Sequence, residues 1–502
     1  MENRPELKIY IRDMPCFQNA TEKQIANKYM GDDWHFNLEK LPTEGLRMEL
    51  RPFIISRGNQ IKLSSMREDF RQYNILCRFL QERERTLTSL REKDSEVLIK
   101  RLKSWLLKNG YQLYHKTSQV VYQKDKINQN EVILYLKKIL RYLDVQDPRP
   151  EYEKDVWDLG QLKQKIYKTN PIRNVSRLNF TKITQVQIRE EIKQAIYVEL
   201  KHNCLETVLS ELSAVRRFSK FLKEHRPKIQ DLKDLQRADM EAYLIYLNTE
   251  DLKRRCFRSE LCHLKTILEI EAKILEYPAL NGLFLDGDIP RGKQALFKSY
   301  SDSELIRLNR HIVTMDPQIA RALMIHQMLG TRISDTLTLS PKCLRKEDGN
   351  YIITINPVKT SEYEKPISDD VAKLILKSIE YTKSRYGDTP YIFTSNKNPN
   401  EPFQYSMIQY QVMVMIAKED LRDDQGERFG FNTHLYRHTY GRKLTEMHVD
   451  DYTISRLLGH ANTSSVKYYR KMSNTVLEEE TREMREALDV ILLEIIRRWE
   501  VV

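Results

Sequence analysis

Glycine and proline are scarce. Fifteen glycines and seventeen prolines in 502 residues imply few tight turns and much helix. Cysteine is scarce as well. The six thiols, Cys16, Cys77, Cys204, Cys256, Cys262 and Cys343, are scattered and form no C-x-x-C pair. They read as reduced core thiols of a cytoplasmic protein, not as a zinc site or a disulfide framework. No run approaches the ~18 apolar residues that span a bilayer. The opening MENRPELKIYIRDM lacks the apolar core of a secretion signal. No membrane partner is expected, and there is no internal repeat or low-complexity tract.

What is present is a charged chain with enough apolar residues to build cores. Hydrophobic residues make up 40% and charged residues 31%, which excludes a disordered or collagen-like chain. The length exceeds that of one typical domain. With 83 Lys and Arg against 71 Asp and Glu, the net charge is +12. That balance suits a polyanion partner without demanding one.

Along the chain, residues 1–170 form an N-terminal domain of unassigned fold, open to a DNA- or partner-binding role. It begins with mixed sequence that includes candidate strands (LKIYIRDM, LRMELRPFIIS) and continues as helix from about Met66 to Asn109. The stretches DPRPEYEK (147–154) and TNPIRNVSRLN (169–179) read as linkers. From about Phe180 to Tyr277 the pattern is helical. Val208, Leu212, Val215, Phe218 and Leu222 form one apolar stripe. Arg216, Arg217, Lys220 and Lys223 lie largely off it, and Lys253, Arg254, Arg255 and Arg258 add to them. These cations read either as a solvated face or as phosphate contacts.

Gly287, Gly292 and Lys293 stand at phosphate-loop spacing. Gln294 follows where magnesium needs Ser or Thr, which argues against nucleotide binding. Beyond Ser301 the chain is mainly helical, with a hairpin in YIITINPVKTSEYEKPIS and a candidate third strand at PYIFTS (390–395). The last stretch, residues 476–502, is an amphipathic helix with Met484, Leu488, Ile491, Ile495 and Trp499 on its apolar stripe.

Four stretches of the C-terminal third stand out: GTRISDTLTL, PVKTSEYEKP, HLYRHTYGRKL and LLGHANTSSVKYYRKM. Singly, each has a plain reading as a helix cap, an exposed turn or a buried polar pair. His434 and His438 share a helix face, but no third ligand supports a metal there.

In this order and spacing the four stretches resemble the tyrosine recombinase (phage-integrase-type) family, most densely over 325–470. The family's signature falls on Arg332, Lys359, His434, Arg437, His460 and Tyr469, with Asp335 matching the acidic residue after the first Arg. The resemblance implies a mainly α fold with a small antiparallel sheet. A helical core-type DNA-binding domain (180–285) would precede an α+β catalytic domain (296–475), the terminal helix (476–502) docking on a neighbouring protomer or on its own domain. It also implies cleavage and rejoining of double-stranded DNA through a 3′-phosphotyrosine, in site-specific recombination, integration or transposition of a mobile element. The partners implied are DNA and a homo-tetramer on two DNA segments, with a companion recombinase or accessory protein left open. No cofactor and no metal is implied.

A phenol of pKa ~10 must lose its proton as it attacks a phosphodiester. Arg332 and Arg437 would brace the pentavalent transition state. Lys359 would protonate the departing 5′-oxygen, with Lys365 a rival on the same hairpin. His434 would take the tyrosine proton or hold the phosphate, and His460 would donate to a phosphate oxygen. Tyr468 competes with Tyr469, and the nine-residue count from His460 selects Tyr469. A type IB topoisomerase is the rival enzyme, though its motif has Lys where His434 stands. A non-catalytic DNA-binding regulator with the same fold is the rival from another class.

Overall fold

The computed structural model describes residues 7–26, 33–119, 121, 124–145, 148–249, 257–291, 298–466, 469, 481–486 and 488–489. They fall into two units. The first comprises residues 1–162 with 177–181, and the second comprises 163–176 with 182–502.

Four helices carry the first unit: α1 (Glu44–Gln60), α2 (Leu63–Arg83), α3 (Ser95–Lys108) and α4 (Glu131–Val145). The stretch LRMELRPFIIS lies within α1 and is helix, not strand. Leu46, Leu50, Phe53 and Ile54 recur at helical spacing and are all buried, and Thr43 caps the first turn by accepting from the Leu46 amide. That periodicity outweighs the β preference of the paired isoleucines. LKIYIRDM does contribute a strand, β1 (Lys8–Tyr10), which pairs antiparallel with β2 (His35–Asn37). A longer hairpin of β3 (Tyr114–Gln119) and β4 (Lys124–Gln129) precedes α4. A short pair, β5 (Val156–Asp158) with β6 (Arg177–Asn179), closes the unit. The residues of β6 read as linker in the sequence, because three residues are too few for a period to show.

The second unit opens with a helical bundle of α5 (Val186–His202), α6 (Leu205–His225), α7 (Arg237–Thr249) and α8 (Arg258–Ile274). The apolar stripe of α6 is buried throughout. Arg217 on its flank is held by Glu260 at 3.0 Å, and the Arg258 guanidinium donates to the Pro290 carbonyl. Lys253, Arg254, Arg255 and Cys256 lie outside the described residues, as do Gly292 and Lys293. The segment before the bundle is docked along its length. Tyr167 and Lys168 bond the Leu200 carbonyl and the Leu205 amide, and Ile172 is buried in the core of the following helices.

Those helices are α9 (Asp302–Ile312), α10 (Pro317–Leu329), α11 (Ile333–Leu337), α12 (Asp369–Tyr386), α13 (Tyr405–Lys418), α14 (Thr433–Glu446) and α15 (Asp451–Leu458). With them runs an antiparallel sheet of β7 (Leu344–Glu347), β8 (Asn350–Ile355) and β9 (Tyr363–Ile367). Its third strand is β7, not residues 390–395, where Thr394 makes only an isolated bridge to Pro402. The β7–β8 turn is Asp348-Gly349, both at positive φ, the Asp-Gly pairing that hairpin twist favours. The 476–502 helix falls largely outside the described residues. The five cysteines among the described residues are free.

The bundle buries acids as well as apolar groups. Glu271 on α8 is fully buried, and burial beside Glu191 pushes its carboxyl up to about 9. Burial near Glu199 raises Glu211 to about 8. Both are therefore neutral in the folded protein at neutral pH, whereas the unfolded chain ionises them near ~4.3. As pH rises through this window the unfolded state loses protons first, so the stability these groups contribute at low pH is lost. The bundle should melt at a lower temperature at pH 8.5 than at pH 6. Glu271→Gln should flatten that dependence and raise the pH 8.5 melting temperature, as thermal unfolding at the two pH values will show.

Candidate active site

Helix α10 starts on Asp316, whose carboxylate accepts from the Gln318 and Ile319 amides. It ends at Gly330, in the left-handed region at φ 62°. A side chain there would overlap the Tyr440 ring. The chain then turns so that Arg332 precedes α11. Asp335, with no exposed side-chain surface, lies 3.6 Å from the Arg332 guanidinium. It also accepts from the Ser334 hydroxyl and, at 3.4 Å, from the Val358 amide. Asp335 thus ties the Arg332 turn to the β8–β9 turn that carries Lys359.

Asn432 caps α14 through the His434 amide. Spacings of three and four set His434, Arg437, His438 and Gly441 along one side of that helix. Helix α15, capped by Asp450, ends at Gly459 with φ 63°, and a side chain there would overlap Tyr363. His460 follows at once, its amide bonding the Ser455 carbonyl. Arg437 joins the two helix ends. It is 4% exposed and donates to the Gly330 carbonyl at 3.1 Å and the Leu458 carbonyl at 2.7 Å.

Tyr469 is buried over Gly441, which lacks a side chain where one would press on the phenol ring at 2.9 Å. His460 stacks on that ring at 6.2 Å with an interplanar angle of 12°, and His438 meets its edge. Arg437 also acts on the Tyr469 phenol, favouring its ionised form. Burial raises the phenol pKa, opposed by Arg437 and Arg332.

The neighbouring imidazoles are pushed the other way. Burial, Arg437 and Arg332 lower His460 to about 4. Burial, His438, Arg437, Arg332 and Lys359 lower His434. Arg437 itself is lowered by burial and Arg332. One Arg332 terminal nitrogen and His460 Nδ1 are buried without a hydrogen-bond partner among the described residues. Neutral imidazoles beside the charges of Arg332 and Arg437, with an Arg332 nitrogen free of a hydrogen-bond partner among the described residues, suit an anion.

The structure brings Arg332, His434, Arg437, His460 and Tyr469 into this one cluster, with Lys359 exposed on the turn at its edge. The two hairpin lysines differ sharply. Lys365 is 3% exposed and donates to the carbonyls of Leu329 and Leu457, which removes it as a mobile acid. Tyr468 lies outside the described residues. Sequence reasoning missed Gly441, Tyr363 and the left-handed glycines. The last of these carried a signal, since a glycine directly after an apolar helical run marks a C-terminal cap.

Residues 301–475 match the family model described as the phage integrase family. Transposase B from transposon Tn554 of Staphylococcus aureus is 23% identical over 430 residues, 83% of this chain and 67% of that protein. Tyrosine recombinase XerA of Pyrococcus horikoshii is 26% identical over 204 residues, 40% of this chain and 63% of that one. Among solved structures, XerH site-specific recombinase bound to palindromic difH substrate superposes with a TM-score of 0.46 at 16% identity. That superposition covers 60% of this chain and 91% of the other. These likenesses support an enzyme of the tyrosine recombinase class.

The depressed imidazole gives a direct check on the site's field. With histidines isotopically labelled, His460 should show no titration by NMR between pH 5.5 and 8 in the free protein. Sodium sulfate, whose charge is constant over this range, should offset Arg332 and Arg437 and bring the midpoint up into the window. Sodium chloride at equal ionic strength should not. An ordinary midpoint near ~6.5 without sulfate would contradict the account of the field.

Proposed function

We propose that this tyrosine recombinase cuts and rejoins double-stranded DNA to move a mobile element, with Tyr469 as nucleophile. The observation that carries the reading is the position of Arg437. One guanidinium holds the ends of the two helices that lead into Arg332 and His460, and its charge favours ionisation of the candidate nucleophile.

A backbone phosphate drawn to the unfilled donors would lie between Arg332 and Arg437. The Tyr469 oxygen attacks phosphorus as the phenol proton leaves to His434 or to solvent. The bond to the 5′-oxygen breaks, and that oxygen takes a proton from Lys359. The products are a 3′-phosphotyrosine and a free 5′-hydroxyl. Forked arginine donors stabilise the charge that builds on the non-bridging oxygens, and His460 donates to one of them. Because the phosphotyrosine retains the bond energy, a 5′-hydroxyl of another strand reverses the step with no external energy source.

The likeness to transposase B covers more of the chain than everything from residue 180 onward. It therefore enters the N-terminal unit, which supports transposition over a bare recombinase core. On this reading the assembly is a tetramer holding two DNA segments, with the helical bundle and the catalytic domain on duplex DNA and a DNA- or partner-binding role for residues 1–170.

The assignment of Lys359 is separable from the rest. Lys359→Ala should form covalent complex very slowly on ordinary DNA. It should be substantially rescued on a substrate with a bridging 5′-sulfur at the scissile phosphate, since a thiolate leaves without protonation. Arg332→Ala should stay slow on both by about a hundredfold or more. Absence of rescue for Lys359→Ala would remove it as the acid. If wild-type protein forms no covalent complex on terminal-repeat DNA of its element, the recombinase reading itself fails.

A further inference from the structure

Lys365 is the least expected cation in the catalytic domain. It sits on β9, 3% exposed, with no carboxylate among its hydrogen-bond partners in the described residues. Its ammonium donates to the Leu329 carbonyl and, at 3.2 Å, to the Leu457 carbonyl, and lies 5.0 Å from the centre of the Tyr440 ring. These carbonyls belong to the last residue of α10 and the last but one of α15. They stand next in sequence to Gly330 and Leu458, the two carbonyls that Arg437 holds. Two cations therefore clasp the same two helix ends, one from α14 and one from the sheet.

The arrangement is physically coherent. The final carbonyls of a helix have no partner within it and carry the negative end of its dipole. Where two such ends converge, cations supply both the donors and the opposing charge. Burial and Arg437 nevertheless lower Lys365 to about 7, so its charge is held against an unfavourable setting. A core chosen for stability alone would place an apolar residue here.

Resting on the recombinase reading above, we infer that Lys365 is a positioning residue for DNA cleavage. Together with Arg437 it sets the spacing of the α10 and α15 ends, and through them the placement of Arg332 and His460 around the scissile phosphate. Arg332 lies two residues beyond Gly330 and His460 two beyond Leu458, so a shift of either helix end moves a phosphate contact directly. Misplacement of about an ångström costs about a hundredfold in rate.

The test compares Lys365→Met with wild type for DNA affinity, melting temperature and rate of covalent complex formation, on ordinary and 5′-thio substrates. Methionine keeps the length and loses the clasp. Affinity within about threefold of wild type, a retained melting transition and cleavage slowed about a hundredfold on both substrates are expected. Unchanged cleavage would overturn the inference, and so would rescue by the sulfur substrate, which belongs to a proton donor. Should the methionine variant fail to fold, Lys365→Gln, which keeps an N–H donor, takes its place. It should bind normally and cleave more slowly than wild type on both substrates, and wild-type cleavage by it would count equally against the inference. Wild-type protein that makes no covalent complex would count against the recombinase reading rather than against Lys365.

Discussion

The catalytic domain depends on one constraint: the C-terminal ends of α10 and α15 meet, and their carbonyls must find donors away from water. Arg437 supplies two of them from the interior of α14, and Lys365 supplies two more from β9. Burying an ion costs roughly several kcal/mol when it is left uncompensated. Here helix dipoles and carbonyl acceptors provide the compensation, and among the described residues no carboxylate neutralises Arg437 by direct contact. Its positive charge therefore remains available to a ligand.

Much of the surrounding architecture follows. The helices stop where they must because Gly330 and Gly459 take left-handed backbone. Larger residues there would collide with Tyr440 and Tyr363. Arg332 and His460 follow within two residues of these stops. Asp335 carries the restraint outward to the Lys359 turn. Gly441 leaves room for the Tyr469 ring, which His460 covers. Burial, with the charges of Arg437 and Arg332, holds His460 near 4, and on the proposed reading those same charges stabilise a phosphate that gains negative charge. They also oppose the burial that keeps the Tyr469 phenol protonated.

The residues that form this cluster were legible because their spacing is a motif and their side chains are chemically distinctive. The α6 stripe was legible because five apolar residues keep one helical period. The Asp348-Gly349 turn carried a hairpin signal that went unread, and the third strand was placed at 390–395 instead. LRMELRPFIIS misled because its isoleucines favour strand, while the deciding Leu46–Leu50–Phe53 spacing needs the whole helix to be visible. Glu211, Glu271 and Lys365 had no signal. A charged residue on a core face reads as surface until the packing around it is known. The place of Lys359 in the hairpin turn favoured it over Lys365 in the sequence, and the structure exposes Lys359 while burying Lys365.

The central claim is that the Tyr469 oxygen becomes bonded to DNA. It is tested most directly by trapping the covalent complex on a nicked terminal-repeat substrate, digesting protein and DNA, and sequencing the nucleotide-bearing peptide by tandem mass spectrometry. The account predicts a 3′-linked nucleotide on Tyr469 within the Tyr468-Tyr469 pair. An adduct on Tyr468, on another residue, or through a 5′-phosphate would contradict it.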